Sequence, residues 1–362
     1  MIRTSVDLSA ENPHPGLMEE RARSVAIDVL RGLALLFMIE VHAAATWPPI
    51  GIARDHPAAL LSAAIGGLAA PLFVTLAGWG AHCAVQRRLD GPTADLIRWA
   101  GVRFAILFAA QITVNLIASH VFEWNTPGIL SLLALCSVAV LATARLDVKM
   151  RTALLAIIVL LVGWLQPSVT NWSSLIHSEG ISEWVQRLFI DGTYPFLPWF
   201  AFHLLGSILA DVGARERRIA MGGGIAACLG IILISRYESG SMIGTFGPAV
   251  LTFFPANPPF VVAAMTGVLL LHEAVHRLSE SALNSRVGEA IADSGRFTLT
   301  YYILHFIPLF LLRDWTPPTI WIGLVAVLAY TALWPVIGHL HRRWKPRFSF
   351  EEFIIRLSKP RA

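Results

Sequence analysis

Long runs of apolar residues, separated by short polar segments, recur along the chain. A hydrocarbon core of about 30 Å needs roughly 20 mainly apolar helical residues, so these runs predict ten transmembrane helices. The predicted spans are 25–47, 58–85, 99–119, 128–144, 152–166, 195–213, 219–235, 258–276, 296–313 and 319–340. The fourth and fifth are short and could instead form a tilted or partly buried pair. The pattern predicts an all-α fold, a polytopic bundle of membrane helices.

Composition agrees with this prediction. Of the 362 residues, 55% are hydrophobic and 14% are charged, and the mean hydropathy is +0.62. Soluble domains carry about 25% charged residues. The net charge of +4 comes from short basic clusters between apolar runs, which excludes nucleic acid as the expected partner. The three cysteines, Cys83, Cys136 and Cys228, lie inside apolar runs, and we interpret them as buried thiols without disulfide or metal ligation.

Basic residues also predict the orientation. Arginines and lysines concentrate in every second connection and in the C-terminal tail, whereas the intervening connections contain few. Cytoplasmic connections of membrane proteins carry this excess, so both termini are expected in the cytoplasm and the chain in the inner (plasma) membrane. We expect a cytoplasmic segment at 1–24, a transmembrane domain at 25–340 and a basic cytoplasmic tail at 341–362.

Two long connections then fall on the outer side. Residues 167–194 include apolar positions spaced for one face of an interfacial helix. Residues 236–257 are glycine-rich and partly apolar, a composition that suits a loop folded back over a cavity.

The first predicted span, "IDVLRGLALLFMIEVHAAATW", contains four ionisable residues. Asp28, Arg31 and His42 fall within about 60° of one another on a helical wheel, and Glu40 falls nearly opposite. Charged residues inside a span face protein or water, so this stripe is expected to face the bundle interior. Arg31 and His42 are about 16 Å apart along the helix axis.

Each part of the stripe has two interpretations. Asp28 and Arg31 are one helical turn apart, and they form either a structural ion pair or part of a donor-binding site. His42 lies near the outer end, where it is either an interfacial residue or a general base, since imidazole titrates near neutral pH and can take a proton from a hydroxyl or amine. The position of His42 at the end of a polar stripe favours the functional interpretation.

The segment "RSVAIDVLRGLALLFMIEVH" resembles the opening of the transmembrane acyltransferases, a group that includes heparan-α-glucosaminide N-acetyltransferase and the acyltransferase-3 sugar O-acetylases. The Asp-x-x-Arg-Gly core matches at Asp28, Arg31 and Gly32, and the acyltransferase-3 spacing of Arg and His matches at Arg31 and His42. "APLFVTLAGWGAH", "YPFLPWFAFHLLGSILAD" and "FTLTYYILHF" resemble bacterial heparan-acetyltransferase-like proteins in order and spacing.

One departure from the resemblance leaves the catalytic residue open. The heparan enzyme has Asn at the position of His42 and its catalytic His about eleven residues later, close to where this chain has His56. His42, His56 or both are therefore candidates. Tyr301 and His305 share one helix face and either line an acyl tunnel or bond across helices. Gln111, Asn115 and His203 are interpreted as interhelical contacts, and the His272–His276 run lacks the zinc-peptidase spacing, so no metal is expected.

The resemblance implies transfer of an acyl group, in the simplest case acetyl, from cytoplasmic acyl-CoA to a hydroxyl or amine of a sugar or glycan at the outer face. Acetyl-CoA or another acyl-CoA would be the donor substrate, with membrane lipids as surroundings and a homodimer as an open alternative. Direct transfer and a two-step route through an acyl-histidine both remain possible. The alternative function is a transporter or proton-coupled carrier that uses the same intramembrane charges.

Overall fold

The computed structural model describes residues 15–48, 56–165, 171–235, 242–247, 249–345 and 347–359. Most of the described residues are helical, and β1 (Ile243–Gly244) pairs in parallel with β2 (Leu251–Thr252). The helices are α1 (Pro15–Thr46), α2 (Pro57–Gln86), α3 (Thr93–Ile117), α4 (Ile129–Thr143), α5 (Val148–Leu165), α6 (Ser173–Ile176), α7 (Ile181–Gln186) with a π-helical turn (Arg187–Asp191), α8 (Phe196–Asp211), α9 (Ala214–Ser235), α10 (Pro258–His276), α11 (Glu280–Leu283), α12 (Arg286–Arg296), α13 (Thr298–Leu304), α14 (Phe306–Leu311), α15 (Ile320–Trp344) and α16 (Phe350–Leu357).

Each of the ten predicted spans overlaps a helix. Within the described ranges, five helices are long and apolar enough to cross a membrane by length and composition: α2, from Ala59, α3, α9, α10 and α15. The all-α, membrane-type fold is confirmed, whereas the number of spans and the side on which the termini lie stay predictions. The predicted ninth span is not one continuous helix, because the chain forms α13 and α14 with an interruption at His305.

Local sequence explains where several helices begin. Asn257, Ser285, Thr319 and Ser349 each precede a helix, and the side-chain oxygen of each accepts a hydrogen bond from the backbone N–H three residues later. Such N-caps satisfy one of the backbone donors left free in the first helical turn.

The centre of the bundle consists of α1, α2, α8 and α12, which pack at short range. A Cβ atom at Gly78 would overlap the carbonyl oxygen of His203, and one at Gly295 would overlap the carbonyl oxygen of Asp28. Only glycine permits these approaches of α2 to α8 and of α12 to α1. The second contact brings α12, and the α13 helix that follows it, against the polar stripe of α1.

The segment that we predicted as a basic tail contains a helix that folds back onto the bundle. Glu351 of α16 accepts hydrogen bonds from the backbone N–H of Leu299 at 2.6 Å and of Thr300 at 3.2 Å, and from the Thr300 hydroxyl at 2.6 Å. The backbone N–H of Phe350 donates to that hydroxyl oxygen at 2.9 Å. Burial raises the pKa of the Glu351 carboxyl. This carboxyl therefore caps the start of α13.

Candidate active site

His42 and His305 are direct neighbours. Nδ1 of His42 lies 2.8 Å from Nε2 of His305, and the two rings are nearly parallel, with centroids 5.1 Å apart. His305 is fully buried, whereas His42 is half-buried. The structure thus joins the polar stripe of α1 to the point where α13 ends.

The surrounding bonds determine which nitrogen carries each proton when both rings are neutral. Nδ1 of His305 lies 3.1 Å from the carbonyl oxygen of Tyr301, which can only accept, so this nitrogen is protonated. Nε2 of His305 is then an acceptor, and Nδ1 of His42 must donate to it. Nε2 of His42 consequently keeps its lone pair. A histidine oriented by a second group in this way has the arrangement of a general base.

Further contacts hold His305 in place. The Tyr330 hydroxyl donates to the carbonyl oxygen of His305 at 2.5 Å, and the ring of Phe306 lies 4.2 Å from the ring of His305 and 4.8 Å from that of His42. The buried Tyr301 hydroxyl pairs with Nδ1 of His341 at 2.7 Å. Tyr301 and His305, the two residues considered for an acyl tunnel, are both buried and both hydrogen-bonded to neighbouring residues.

Asp28 has a closer partner than the one expected from helical spacing. Its Oδ2 atom accepts a hydrogen bond from Nε of Arg296 at 2.9 Å, whereas Nη1 of Arg31 lies 3.6 Å from Oδ1. Arg296 also lies 3.6 Å from the buried Asp293, which is bonded to His339 and Arg342. Asp28 therefore belongs to a network that links α1, α12 and α15, and Arg31 is its outlying member.

Arg31 lies near other arginines. Its guanidinium lies beside Gly80 of α2, where a Cβ would come within 2.8 Å of Nη2. Arg103 of α3 lies over the ring of Trp99, 5.1 Å from its centroid, and Arg88 lies 5.9 Å from the same centroid. Arg103 is within electrostatic range of both Arg31 and Arg88, and its buried Nε has no hydrogen-bond partner among the described residues.

We call Arg31, Arg88 and Arg103 the basic vestibule; Arg88 and Arg103 share the ring of Trp99, and Arg31 lies within electrostatic range of Arg103. Like charges close together in a poorly hydrated place repel, and a bound anion relieves that repulsion. The vestibule lies toward the end of α1 opposite His42, because Arg31 precedes His42 by eleven residues, or about 16 Å of helix.

His56 occupies a different environment from His42. It is exposed and immediately precedes α2, and the residues 49–55 before it lie outside the described part of the chain. Sequence reasoning did not single out Arg296, Tyr330 or Glu351. Arg296 was counted only as a basic residue that fixes the topology, and no spacing signal connects it with Asp28, which is 268 residues away.

Comparison with known families identifies the family of the chain. The profile of the family "Heparan-alpha-glucosaminide N-acetyltransferase, catalytic" matches residues 23–237. This match covers more than half of the chain. The chain belongs to this family. No curated protein matches the chain.

Membership of the family makes the chain a transferase of the acetyltransferase type, and its apolar helices make it a membrane protein. The matched region contains Asp28, Arg31, His42 and Arg103. It ends before α12 to α16, which supply His305 and Arg296 to the site. The candidate centre therefore combines the matched region with the part of the chain that follows it.

Proposed function

We propose that the protein transfers an acyl group, in the simplest case acetyl, from acyl-CoA to a hydroxyl or amine of a sugar or glycan. The observation that carries the proposal is the His42–His305 pair, because it leaves Nε2 of His42 free to accept a proton. The donor is taken up at the cytoplasmic face and the acceptor is met at the outer face.

In the direct route, Nε2 of His42 takes the proton of the acceptor hydroxyl or amine while the acceptor oxygen or nitrogen attacks the thioester carbonyl. The carbon–sulfur bond then breaks, and the CoA thiolate leaves with a proton returned from His42. In the two-step route, Nε2 of His42 attacks the carbonyl itself, the carbon–sulfur bond breaks and CoA leaves as the thiolate. The acyl-imidazolium that remains passes its acyl group to the acceptor oxygen or nitrogen, and the proton that the acceptor loses neutralises the thiolate. His305 has the same role in both routes. Its Nε2 accepts the Nδ1–H of His42 and so holds the His42 ring in place.

The basic vestibule suits the donor. CoA carries several phosphate groups, and guanidinium groups are preferred partners of phosphate. Arg31 and Arg103 are the residues that we assign to donor phosphate, and Arg88 shares the ring of Trp99 with Arg103. We assign Asp28 a structural role, because its carboxylate pairs with Arg296 as well as with Arg31.

An assay with donor and acceptor on opposite sides of a membrane tests the proposal. The protein is reconstituted in vesicles with its cytoplasmic face outward, glucosamine is enclosed as the acceptor, and labelled acetyl-CoA is added outside. We expect labelled acetyl-glucosamine inside the vesicles, release of CoA thiol outside, and neither product with His42→Ala.

Two results would contradict separate parts of the proposal. Transfer that requires donor and acceptor on one side would remove the transmembrane direction. Undiminished transfer by a well-folded His42→Ala variant, together with loss in His56→Ala, would assign the base to His56.

A further inference from the structure

A cavity of about 460 Å³ lies between the middle and end of α3, the 118–128 connection and α7. Residues that line it include Phe108, Gln111, Asn115, Trp124, Glu179 and Trp184. Pockets that hold small organic ligands have volumes of about 300–1,000 Å³. Its walls combine aromatic rings with amide and hydroxyl groups, the combination that binds a molecule with both apolar and hydroxyl-bearing faces.

The floor of the cavity is a hydrogen-bonded frame. The Asn115 side-chain amide donates to the carbonyl oxygens of Trp124 at 3.1 Å and of Thr126 at 2.8 Å. Gln111 donates to Oδ1 of Asn115 at 2.8 Å and accepts from the backbone N–H of Leu130 at 3.0 Å. Both amide hydrogens of Asn115 are used in the frame, whereas Gln111 retains one for a ligand.

The aromatic walls are also fixed. Nε1 of Trp184 donates to the carbonyl oxygen of Asn125 at 2.7 Å, which ties α7 to the 118–128 connection. The Trp124 side chain is 65% exposed although its carbonyl oxygen is bonded to Asn115. An indole ring held at the mouth of a cavity without full packing is a ready surface for a ligand.

The charge of the lining limits the ligand class. Among the residues that line the cavity, the single charged side chain is the carboxylate of Glu179, and no arginine or lysine is present. Phosphate and sulfate groups are therefore disfavoured by repulsion and by lack of a cationic partner. A neutral polyhydroxylated ring or one that bears an ammonium group fits this lining.

The cavity opens at the end of the bundle where His42 lies. It lies on a different face of α3 from the reaction centre. Just beyond α3, His120 contacts the ring of Phe310, one turn of α14 away from Phe306, which contacts His42. Leu107 and Val114 of α3 point into the main apolar core, whereas the cavity residues of α3 occupy a neighbouring face.

We propose that this cavity is a saccharide-binding site, separate from the centre of acyl transfer, that holds an uncharged or amine-bearing sugar unit. The sugar ring stacks on Trp124 and Trp184, Gln111 donates to a ring hydroxyl, and Glu179 accepts from a hydroxyl or ammonium group. That this sugar is part of the acyl acceptor rests on the proposed function, whereas the binding itself does not.

The test measures sugar binding by the full chain in phosphatidylcholine nanodiscs. The probes are a glucosamine disaccharide, the neutral disaccharide cellobiose and a sulfated glucosamine disaccharide, titrated by calorimetry. We expect the first two to bind and the sulfated one to bind at least tenfold more weakly. Trp124→Ala should weaken binding of the first two at least tenfold, and Glu179→Gln should weaken the amine-bearing sugar more than cellobiose.

A matched control and a lipid probe complete the design. Trp321→Phe alters an indole that is 76% exposed on α15, away from the cavity, and should leave binding unchanged. Equal binding by the parent and Trp124→Ala, or binding by neither, would overturn the proposal. So would a brominated phospholipid that quenches Trp124 fluorescence and is not displaced by the sugars, because the cavity would then be a lipid site.

Failure of this site is distinguishable from failure of the proposed function. His42→Ala should bind the sugars like the parent while it transfers no acyl group. A parent protein that binds the sugars but never transfers contradicts the proposed function alone. A parent protein that transfers but shows no binding that depends on Trp124 contradicts this site alone.

Discussion

His42 donates through Nδ1 to Nε2 of His305 at 2.8 Å, although the two residues are 263 positions apart in the chain. This bond fixes the orientation of the one imidazole that lies on the polar stripe of α1. It also joins α1 to a part of the chain that lies outside the region matched by the family profile.

Removing the imidazole of His42 should abolish transfer without unfolding the protein. His42 is half-buried near the end of α1, so His42→Ala leaves the central packing of α1 with α2 and α12 in place. General-base catalysis contributes about 10²–10⁴-fold, and we expect a loss of at least that size in the rate of acetyl-CoA-dependent transfer. His56→Ala is the comparison variant, and thermal unfolding in detergent checks that both are folded.

Replacing His305 should slow the reaction through misplacement of His42. His305→Ala removes the acceptor of the Nδ1–H of His42, and displacement of a reacting group by about 1 Å can cost about 100-fold. Tyr301→Phe is a matched control, because it removes the bond to His341 but keeps the carbonyl oxygen that accepts from His305. A purely structural role for His305 would lower the melting temperature and leave the pH profile of kcat unchanged, whereas we expect the profile to shift.

Substitutions of Arg31 and Arg296 should have different effects: the first should weaken donor binding, and the second should lower stability. Arg31→Ala leaves Asp28 paired with Arg296, so we expect a raised KM for acetyl-CoA and little change in melting temperature. Arg296→Ala removes the bond at 2.9 Å and a contact to Asp293, and charge-assisted bonds are worth about 1.5–3 kcal/mol. The reverse ranking in a melting experiment would make Arg31 the structural partner of Asp28.

The 118–128 connection beside the cavity should be less stable at alkaline pH. Nδ1 of His177 lies 2.7 Å from Oε1 of Glu123, and this hydrogen bond and charge raise the pKa of His177 above its ordinary value of 6.5. A raised histidine pKa gives stability that is complete below the ordinary value and is lost as the pH rises through the raised one. Hydrogen exchange of residues 119–128, corrected for intrinsic rates, should therefore be less protected at pH 9 than at pH 6. The Glu123→Gln variant should lose this difference, and an unchanged difference would contradict the link.

Thiol labelling tests the orientation. In a variant with Cys83, Cys136 and Cys228 replaced by Ala, a cysteine at Ser173 should react with an impermeant reagent added to intact cells. Cysteines at Arg88 and Arg217 should react only after permeabilisation, because both lie in connections that the basic residues assign to the cytoplasm. Labelling of position 217 from outside would overturn the predicted topology.

Sequence reasoning predicted the helical class, but it did not predict which distant residues contact Asp28 and His42. Hydrophobic runs and helical periodicity are local signals, and they placed Asp28, Arg31 and His42 on one stripe of α1. The same periodicity suggested Arg31 as the partner of Asp28, but the shorter contact comes from Arg296, which only the approach of α12 at Gly295 makes possible. Distant contacts of this kind leave no local pattern in one sequence.

The glutamine and asparagine of α3 show the same limit. Gln111 and Asn115 were interpreted as contacts between helices, and their spacing does place them on one face. The structure confirms this for Gln111, which accepts from the backbone N–H of Leu130 in the first turn of α4. Asn115 instead bonds to Gln111 and to the carbonyl oxygens of Trp124 and Thr126 in the connection, and both amides support a cavity. The sequence predicted that the amides would be bonded but did not indicate a cavity, because its walls come from three separate segments.

The cap that Glu351 places on α13 also determines how late in synthesis the start of α13 is capped. The ribosome adds about 5–20 residues per second, so roughly 15–60 s pass between synthesis of His42 and synthesis of Glu351. During that interval α1 is present, but α13 and His305 are missing until late in it, and α13 then lacks its cap until Glu351 is added. A partly synthesised chain therefore contains His42 before the bond that orients its ring can form. The His42–His305 pair is therefore assembled late in synthesis, because both the His305 segment and the Glu351 cap lie far along the chain from His42.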